Sequence, residues 1–183
     1  MTRKNARPDP AQDPAGFELE DFLPYRLSLL TNTVSQGIAN SYRDKHDITI
    51  TEWRIMAVLG RYSGLTASEV VERTAMDKVA ISRAVNSRVA RRLLERKTDR
   101  NDRRRRRLYI APGRGQNVLR EIVPLAQQYE QLLLQALSCE ELECLERIMS
   151  VLLDSAKKMR DPAFQQLIEV TERSMEKPSR LPA

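Results

Sequence analysis

The sequence predicts a mainly α-helical protein with one small β-hairpin, and its charge distribution is the first reason. Residues 77–107 contain 13 Lys or Arg against four Asp or Glu, a local charge of +9, whereas the whole chain carries +6 and the remainder therefore −3. The second reason is the order within this segment. A helical pattern comes first, and five arginines then precede the alternating pattern of residues 108–110. A helix followed by a basic hairpin suits a nucleic-acid duplex, whose polyanionic backbone provides the sequence-independent part of the affinity.

The composition excludes several classes of protein. With 183 residues, 41% hydrophobic and 31% charged, the chain fits one soluble, mostly helical domain with long extensions. No apolar run approaches the roughly 18 residues of a membrane span, and no apolar segment follows the basic first residues as it would in a signal peptide. Two cysteines are too few for a disulfide framework. We therefore expect a cytoplasmic protein in a reducing compartment.

The N-terminal part predicts a tail and one long helix. Residues 1–16 are rich in Pro, Ala and Asp and offer little to bury, as expected of a mobile tail. Residues 21–45 carry an apolar stripe spaced by three or four residues, which is the helical period. Pro24 fits this helix because it falls in the first turn. The stripe consists of Leu23, Leu27, Leu30, Val34, Ile38 and Tyr42.

Two capping boxes mark the next helices. Thr49 is followed by Glu52, and Thr66 by Glu69. In each pair a hydroxyl and a carboxylate three residues apart satisfy the free amides of a first turn. The second helix ends near residues 62–64, and the third is short. After a tight turn a fourth helix begins, so the third and fourth together predict a helix-turn-helix.

The fourth helix, capped by Asp77, has two distinct faces. Ile81, Val85 and Val89 recur every four residues and are expected to face the core. The other face offers hydrogen-bond donors and acceptors of the kind that contact base edges, although a solvated helix surface has the same composition. That face comprises Lys78, Ser82 and Asn86, flanked by Val79 and Arg83.

Residues 98–110 predict a two-stranded hairpin. Residues 99–102 are turn formers, and the apolar residues Leu108 and Ile110 alternate with Tyr109 as in a strand. A run of arginines is one way to keep an exposed edge strand from pairing with another chain. Five arginines exceed what such protection needs, so we favour a surface for nucleic acid.

Two further helices follow the hairpin. The fifth is predicted to begin at Pro112, and Pro124 is expected to kink or break it. The sixth begins with the capping box of Ser138 and Glu141 and stops before Pro162. A short helix containing Phe164, Leu167, Ile168 and Val170 is expected before a polar tail.

The domain organisation follows from the apolar stripes. Helices expected at 21–48 and 112–160 have longer stripes than a small winged module at 49–111 can cover. Residues 161–183 are expected to form a short helix and a tail. We therefore expect the flanking helices to pair two copies of the chain in a two-fold homodimer, which also doubles the contacts with a duplex.

The order of these elements resembles that of the MarR family of winged helix-turn-helix repressors, over about residues 22–159. In the family, the fourth helix enters the major groove and the wing enters the adjacent minor groove, where narrow A/T-rich stretches concentrate negative potential. The segment at 77–96 would be this recognition helix. The motifs that carry the resemblance are TASEVVERT at 66–74, DKVAISRAV at 77–85, LLER at 93–96, DRR at 102–104 and IAP at 110–112.

The resemblance also implies individual DNA contacts. The DRR signature implies that Arg103 or Arg104 inserts into the minor groove while Asp102 holds the wing. The chain departs from the family at Arg92, where Gly is common, and at Ala111, where a helix-capping Thr is common. The full set of expected DNA contacts is Thr66, Ser68, Lys78, Val79, Ser82, Arg83, Asn86, Arg88, Asp102, Arg103, Arg104 and Arg105.

A looser resemblance concerns an effector. FLPYRL at 22–27 and TEWR at 51–54 look like the subgroup that regulates the breakdown of aromatic acids, some members of which respond to hydroxycinnamoyl-CoA thioesters. It implies a dimeric repressor that releases a palindromic duplex site when an aromatic carboxylate or acyl-CoA binds. Arginine suits such anions because its fork matches carboxylate or phosphate. The expected effector contacts are Tyr25, Arg26, Tyr42, His46, Trp53 and Arg54.

Two of these residues have a second interpretation, and other functions stay open. His46 also fits a C-terminal helix cap, and Trp53 also fits the core. A helical adaptor whose basic hairpin binds an acidic protein and a thiol redox sensor are the alternative functions. Cys139 and Cys144 lie five residues apart, about 140° around a helix, which favours structural roles over a disulfide within one chain.

Enzymatic and metal functions find no support in the motifs. The single histidine has no cluster of ligands with metal spacing around it. The segment Gly113-Arg114-Gly115 is too short for a phosphate loop. We therefore expect neither catalysis, nor a metal, nor a cofactor.

Overall fold

Seven α-helices and one β-hairpin make up the part of the chain that the structure, a computed structural model, describes: residues 17–161, 164 and 166. This confirms the predicted mainly α-helical fold class with a two-stranded wing. The chain divides into two compact units, Met1–Tyr129 and Glu130–Ala183. The elements are a 3₁₀ turn at Leu19–Asp21, α1 (Leu23–Asn40), α2 (Arg43–His46), α3 (Ile50–Arg61), α4 (Ala67–Thr74), α5 (Lys78–Ala90), β1 (Leu94–Thr98), β2 (Arg106–Ile110), α6 (Arg114–Leu134) and α7 (Cys139–Met159).

The single helix predicted over residues 21–45 is in fact two helices. The amides of Ser41 and Tyr42 bond back to the carbonyls of Ile38 and Ala39, which tightens the last turn of α1, and α2 begins only at Arg43. The break turns Tyr42 into the core, where it is 1% exposed. The apolar stripe therefore continues in the sequence although the helix does not.

The predicted capping boxes are confirmed and fix where the helices begin. The amide of Thr49 donates to Oε2 of Glu52 at 2.8 Å, and the amide of Thr66 donates to Oε2 of Glu69 at 2.6 Å. Each threonine hydroxyl accepts the glutamate's amide in return. Since hydrogen bonds of this kind satisfy first-turn donors, α3 and α4 begin at defined residues and the turn between them is short.

The helix that was expected to be the recognition helix is shorter than predicted. Asp77 caps α5 by accepting the amide of Ala80 at 2.9 Å, but the helix ends at Ala90 rather than at residue 96. The reason lies in the following turn, where Arg92 has a φ of +57°. This left-handed conformation costs an L-residue roughly 1 kcal/mol or more, and the chain adopts it without the glycine that is common in the family.

The hairpin begins four residues earlier than predicted. Leu94 pairs with Ile110 and Thr98 with Arg106. The first strand therefore ends at residue 98, where the predicted hairpin at 98–110 was expected to begin. Leu93 and Leu94 are buried, which anchors the start of β1 in the core. The amide of Leu108 donates to the carbonyl of Leu65 at 2.7 Å and ties β2 to the turn between α3 and α4.

Helix α6 corrects two further expectations. It begins at Arg114 rather than Pro112, because Gly113 adopts a φ of +69°. Of the kink or break expected at Pro124, the break does not occur, because the helix continues across this residue to Leu134. The capping box of Ser138 is confirmed and starts α7. The short helix predicted around Phe164 falls largely outside the described residues.

The core lies among α3, α4, α5 and the hairpin, and it includes the predicted inner face of α5. Ile81 and Val85 are buried, and Val89 packs against them from the edge. By contrast, α7 has no buried residue among those described. None of the described helices combines the length and the hydropathy of a membrane span. The largest buried side chains are Tyr42, Ile48, Ile55, Met56, Leu59, Val70, Ile81, Val85, Leu93, Leu94, Leu108 and Ile122.

Candidate nucleic-acid interface

The polar face predicted for α5 is exposed to solvent. Its opposite face packs in the core, so Lys78, Ser82 and Arg83 point away from the module. Val79 lies among them with 55% of its surface exposed. Such a methyl-bearing side chain beside polar ones is what contact with thymine methyl groups and base edges requires.

A hydrogen bond joins this face to the wing. The NH2 group of Arg96, on β1, donates to Oδ1 of Asn86 at 2.9 Å. The amide side chain of Asn86 is therefore held in place, and the last exposed turn of α5 is connected to the hairpin. The sequence patterns alone did not indicate this contact.

The start of α4 contributes one free and one engaged hydroxyl. Ser68 is exposed in the first turn. The Thr66 hydroxyl accepts the amide of Glu69 at 3.3 Å, and hydrogen bonds from Thr66 lower the pKa of Glu69. The Thr66 hydroxyl is therefore engaged in the cap of α4, whereas the Ser68 side chain is exposed.

Two aspartates organise the loop of the wing, by which we mean β1, β2 and the residues between them. Asp99 Oδ1 accepts hydrogen bonds from the amides of Asn101 and Asp102, at 2.7 and 3.2 Å. Asp102 Oδ1 accepts the amide of Arg104 at 3.0 Å, and its Oδ2 lies 3.3 Å from Nε of Arg105. The Asp102 carboxylate thus contacts the backbone of Arg104 and the side chain of Arg105.

The surroundings of Asp99 strongly favour its ionised form. The hydrogen bond from Arg107, followed by those from the amides of Asn101 and Asp102, lowers the pKa of Asp99 from 3.8 to about 2. Because the folded pKa is depressed, the stabilisation is fully present above pH ~4 and is lost only as the pH falls toward 2. The loop therefore keeps its hydrogen bonds throughout the neutral and mildly acidic range.

The arginines of the wing differ in their partners. Within the described part of the chain, the guanidinium groups of Arg103, Arg104 and Arg106 have neither an ion pair nor a hydrogen bond, and all three side chains are exposed. Arg105 is paired only with Asp102, at 3.3 Å. Uncompensated cations on a protruding hairpin are free to neutralise phosphates.

Arg88 contradicts its predicted role as a DNA contact, because it lies inside the module. It is 4% exposed, and its Nε lies 2.7 Å from Oε1 of the equally buried Glu52. Burial lowers the pKa of Arg88, and the charge of Glu52 opposes that shift. The physical reason is helical geometry, since residue 88 follows Ile81 by two turns and so lies on the core face.

The same end of α5 is attached to the segment that follows α2. NH1 of Arg88 and NH1 of Arg91 both donate to the carbonyl of Asp47, at 3.0 and 3.1 Å. Arg91 also pairs with the carboxylate of Asp47. Asp47 has a φ of +48°, which presents its carbonyl to the two arginines while it ends α2. The C-terminal turn of α5 is thereby fixed to the module.

The predicted effector residues fall into separate places within the described part of the chain. Trp53 packs against Tyr42, with ring centroids 5.9 Å apart, and is partly buried against the core. Arg54 donates to Oγ of Ser35 at 2.7 Å. Tyr25 and Arg26 instead line a groove of about 450 Å³ along α1, together with Glu20, Leu29, Leu30 and Thr33.

Tyr42 and His46 have distinctive environments. The buried hydroxyl of Tyr42 has no hydrogen-bond partner among the described residues, and burial raises its pKa to about 12. Nε2 of His46 lies 3.2 Å from Oε2 of Glu121, which also contacts Nζ of Lys45. His46 is therefore paired with a carboxylate of α6, and Asp47 rather than His46 caps α2.

The residues considered for other chemistry are dispersed. The described residues include no group of three or more His, Cys, Asp or Glu placed to hold a metal ion. Cys139 is exposed in the first turn of α7, Cys144 is half-buried, and both thiols are free.

Comparison with known proteins finds a family similarity over the winged module. Residues 46–105 match the model described as MarR family, a segment that runs from the end of α2 into the wing loop. The curated proteins contain no match to this chain. The matched segment includes the helix-turn-helix and the arginines of the wing as far as Arg105.

Solved structures extend the similarity to most of the chain. A MarR/EmrR family transcriptional regulator from Acinetobacter sp. ADP1 superposes with a TM-score of 0.71 over 78% of this chain and 100% of that one, at 22% identity. The second structure is BpsR of Bordetella bronchiseptica, a protein whose DNA binding is regulated by 6-hydroxynicotinic acid. It superposes with a TM-score of 0.66 over 76% of this chain and 99% of that one, at 20% identity. PcaV of Streptomyces coelicolor, in complex with its natural ligand, superposes with a TM-score of 0.65 over 78% of this chain and 99% of that one, at 22% identity. At these identities the similarity establishes the winged fold of MarR-type regulators.

Proposed function

Starting from a MarR-type fold and a family match that spans the helix-turn-helix, we propose that this protein is a dimeric transcriptional repressor. It would bind a palindromic duplex DNA site and release it when a small aromatic acid, or its CoA thioester, binds. The proposed DNA surface comprises Thr66, Ser68, Lys78, Val79, Ser82, Arg83, Asn86, Asp102, Arg103, Arg104 and Arg105, and it leaves out the buried Arg88.

The observation that carries the proposal is the placement of unpaired cations beside an exposed helix face. Arg103, Arg104 and Arg106 have no acidic partner among the described residues, and the Asn86–Arg96 hydrogen bond joins α5 to the same hairpin. A duplex has a groove for a helix and a neighbouring groove for a hairpin. An acidic protein partner would need the cations alone, so the exposed face of α5 favours DNA.

A second copy of the chain is proposed to complete the protein. Monomeric proteins rarely expose extended apolar patches, yet the helices on both sides of the winged module do so. Covering such faces with the same surface of another copy gives a closed two-fold dimer. The exposed apolar side chains of α1 and α7 include Leu23, Leu29, Leu30, Leu145, Ile148, Met149, Val151 and Leu153.

We expect Arg104→Ala to weaken binding to duplex DNA about tenfold, because a free cation at the wing tip contributes through phosphate neutralisation or minor-groove insertion. The logarithmic salt dependence should also become shallower by about 0.9 for a lost phosphate contact. Fluorescence anisotropy with a labelled duplex from the upstream region of the gene, over a salt series, measures both quantities.

The matched control is Arg120→Ala, which removes the same charge from an exposed position on α6. It should leave the affinity and the salt dependence almost unchanged. Equal losses for the two variants would mean that net charge, not the wing, determines binding, and the assignment of the wing would then be wrong.

The effector site is proposed around the unpartnered hydroxyl of Tyr42. Arg43 and Arg54 lie close enough for their charges to act on this phenol, and an anionic ligand would give the hydroxyl the acceptor that it lacks. A carboxylate or thioester oxygen meets this requirement, and Trp53 offers an aromatic surface beside it. The 6-hydroxynicotinic acid named for BpsR supports an aromatic acid as the class to test.

We expect Tyr42→Phe to raise the thermal midpoint of the free protein slightly, because it removes a buried hydroxyl without a partner. The same change should reduce the stabilisation by aromatic acids or CoA thioesters, which for the unmodified chain reaches about 2.7 kcal/mol at a hundredfold excess over Kd. Thermal-shift titration measures both effects. Tyr25→Phe is the control, and a shift lost in that variant but kept in Tyr42→Phe would place the ligand in the α1 groove instead.

A further inference from the structure

The last arginine of the wing differs from the four before it. Arg107 turns away from the loop tip, and its Nε donates to Oδ2 of Asp99. Its NH1 donates to the backbone carbonyl of Gly64 at 2.8 Å, in the turn between α3 and α4. The Asp99 side chain is 10% exposed in this pairing. One guanidinium therefore connects the wing to Gly64, which lies 43 residues before Arg107 in the sequence.

These contacts form one end of a continuous series of hydrogen bonds. Asp99 accepts the amide of Asp102 at 3.2 Å through its second oxygen, and Asp102 accepts the amide of Arg104 at 3.0 Å. The series runs from the carbonyl of Gly64 through Arg107, Asp99 and Asp102 to the backbone of Arg104. Each step uses a charged side chain, and hydrogen bonds with a charged partner are the stronger class.

We propose that Asp99 and Arg107 are positioning residues, which hold the tip arginines at a fixed place relative to α4 and α5 so that the wing and the helix reach neighbouring grooves together. This inference rests on the proposed DNA-binding function. The pair acts through the loop and not by contact with the nucleic acid. Arginine is required at 107 because its planar fork bonds to a carboxylate and a carbonyl at once, whereas lysine offers a single point charge.

The alternative is that Arg107 acts as one more cation of the wing. The two explanations predict opposite signs for Asp99→Asn. Removing a negative charge next to the arginines makes the surface more attractive to phosphates, so a wing acting by charge alone would bind DNA more tightly. A wing that depends on position would bind more weakly, since asparagine keeps the acceptor for the loop amides but loses the ion pair with Arg107.

The test measures duplex affinity by anisotropy at one fixed salt concentration. We expect Asp99→Asn and the charge-conserving Arg107→Lys each to weaken binding about tenfold. In each variant one or two side chains of the loop would have to be ordered when DNA binds, and this entropy cost lowers the affinity by about that factor. Glu95→Gln is the matched control. Like Asp99→Asn it removes one negative charge from the hairpin, but Glu95 lies on β1 and pairs with Lys97 instead of Arg107. It should bind as tightly as the unmodified chain or slightly more tightly.

A double-mutant cycle separates positioning from a general loss of structure. Arg104→Ala should cost less in the Asp99→Asn background than in the unmodified chain, because a displaced tip has less binding left to lose. Additive losses would overturn the proposal, as would Asp99→Asn binding as tightly as Glu95→Gln. If the unmodified chain itself fails to bind duplexes, or if Arg104→Ala alone has no effect, the failure is that of the proposed function.

A measurement without DNA addresses the same geometry. Amide hydrogen exchange at Asp102 and Arg104 should become faster in Asp99→Asn and in Arg107→Lys, while exchange in the core residues Ile55 and Leu59 stays unchanged. Unaltered exchange at the loop amides would overturn the proposal independently of any binding assay.

Discussion

Replacing Glu52 by glutamine is expected to destabilise the protein by about 3 kcal/mol, the usual cost of removing one partner from a buried ion pair. Glutamine retains the length of the side chain and can still accept the amide of Thr49, so the cap of α3 is preserved. The charge of Arg88 is left buried without its counterion. Urea unfolding, at one protein concentration because oligomerisation contributes to stability, measures the loss.

Two further variants decide whether charge is the cause. The double change Glu52→Gln with Arg88→Met replaces the pair by groups of similar volume and should recover most of the stability. Asp154→Asn, which removes one partner of the exposed pair with Lys157, should change it by less than about 1 kcal/mol. If Glu52→Gln unfolds at the same urea concentration as the unmodified chain, the pair is not needed for stability.

Gly115→Ala should cost about 3 kcal/mol, although alanine is the better helix former by about 1 kcal/mol. A Cβ on Gly115 would lie 2.3 Å from the carbonyl oxygen of Leu93 and 3.0 Å from Cγ2 of Ile110. That carbonyl accepts the amide of Ala111 at 3.0 Å. Alanine must therefore displace backbone and strain a hydrogen bond, which adds overpacking to the loss of that bond.

Gly113→Ala provides the comparison for this second variant. Gly113 has a φ of +69° but no atom within 4 Å of an added Cβ. Its replacement should lower the free energy of unfolding by only about 1 kcal/mol, which is the cost of placing an L-residue in the left-handed conformation. Urea unfolding of the two variants should therefore separate a steric cost from a conformational one. If the two losses are equal, the contact between Gly115 and Leu93 does not limit the packing of α6.

Features that depend on near neighbours in the chain were predictable. Thr49 with Glu52, Thr66 with Glu69 and Ser138 with Glu141 cap their helices as expected, because each capping box is complete within four residues. The exposed face of α5 was equally predictable from its period. Such signals need no knowledge of what lies across the core.

Features that depend on distant contacts were missed. The spacing of Arg88 after Ile81 placed it on the inner face, but its charge suggested the surface, and only Glu52 on α3 makes a buried arginine tolerable. Similarly, the role of Arg107 depends on Gly64, which is 43 residues away. A run of identical arginines contains no signal that distinguishes its last member.

The predicted helix boundaries were wrong where the backbone conformation is not the one that the residue types favour. Arg92 adopts the left-handed region at +57° without being glycine, so nothing in its side chain marked the end of α5. Tyr42 continues an apolar stripe across a break that is made by backbone hydrogen bonds of Ser41 and Tyr42 themselves. In both places tertiary packing outweighs local preference.

On the proposed function, the attachment of the last turn of α5 to Asp47 would limit the length of DNA sequence that one copy of the chain recognises. The exposed positions extend from Lys78 to Asn86, about 13 Å at 1.5 Å per residue. Base pairs are stacked 3.4 Å apart, so a single helix spans roughly four of them. On the proposed function, an operator would then contain two short half-sites of about four base pairs. Discrimination between genomic sites would depend on their spacing and on the shape of the DNA under the wings as much as on the bases themselves.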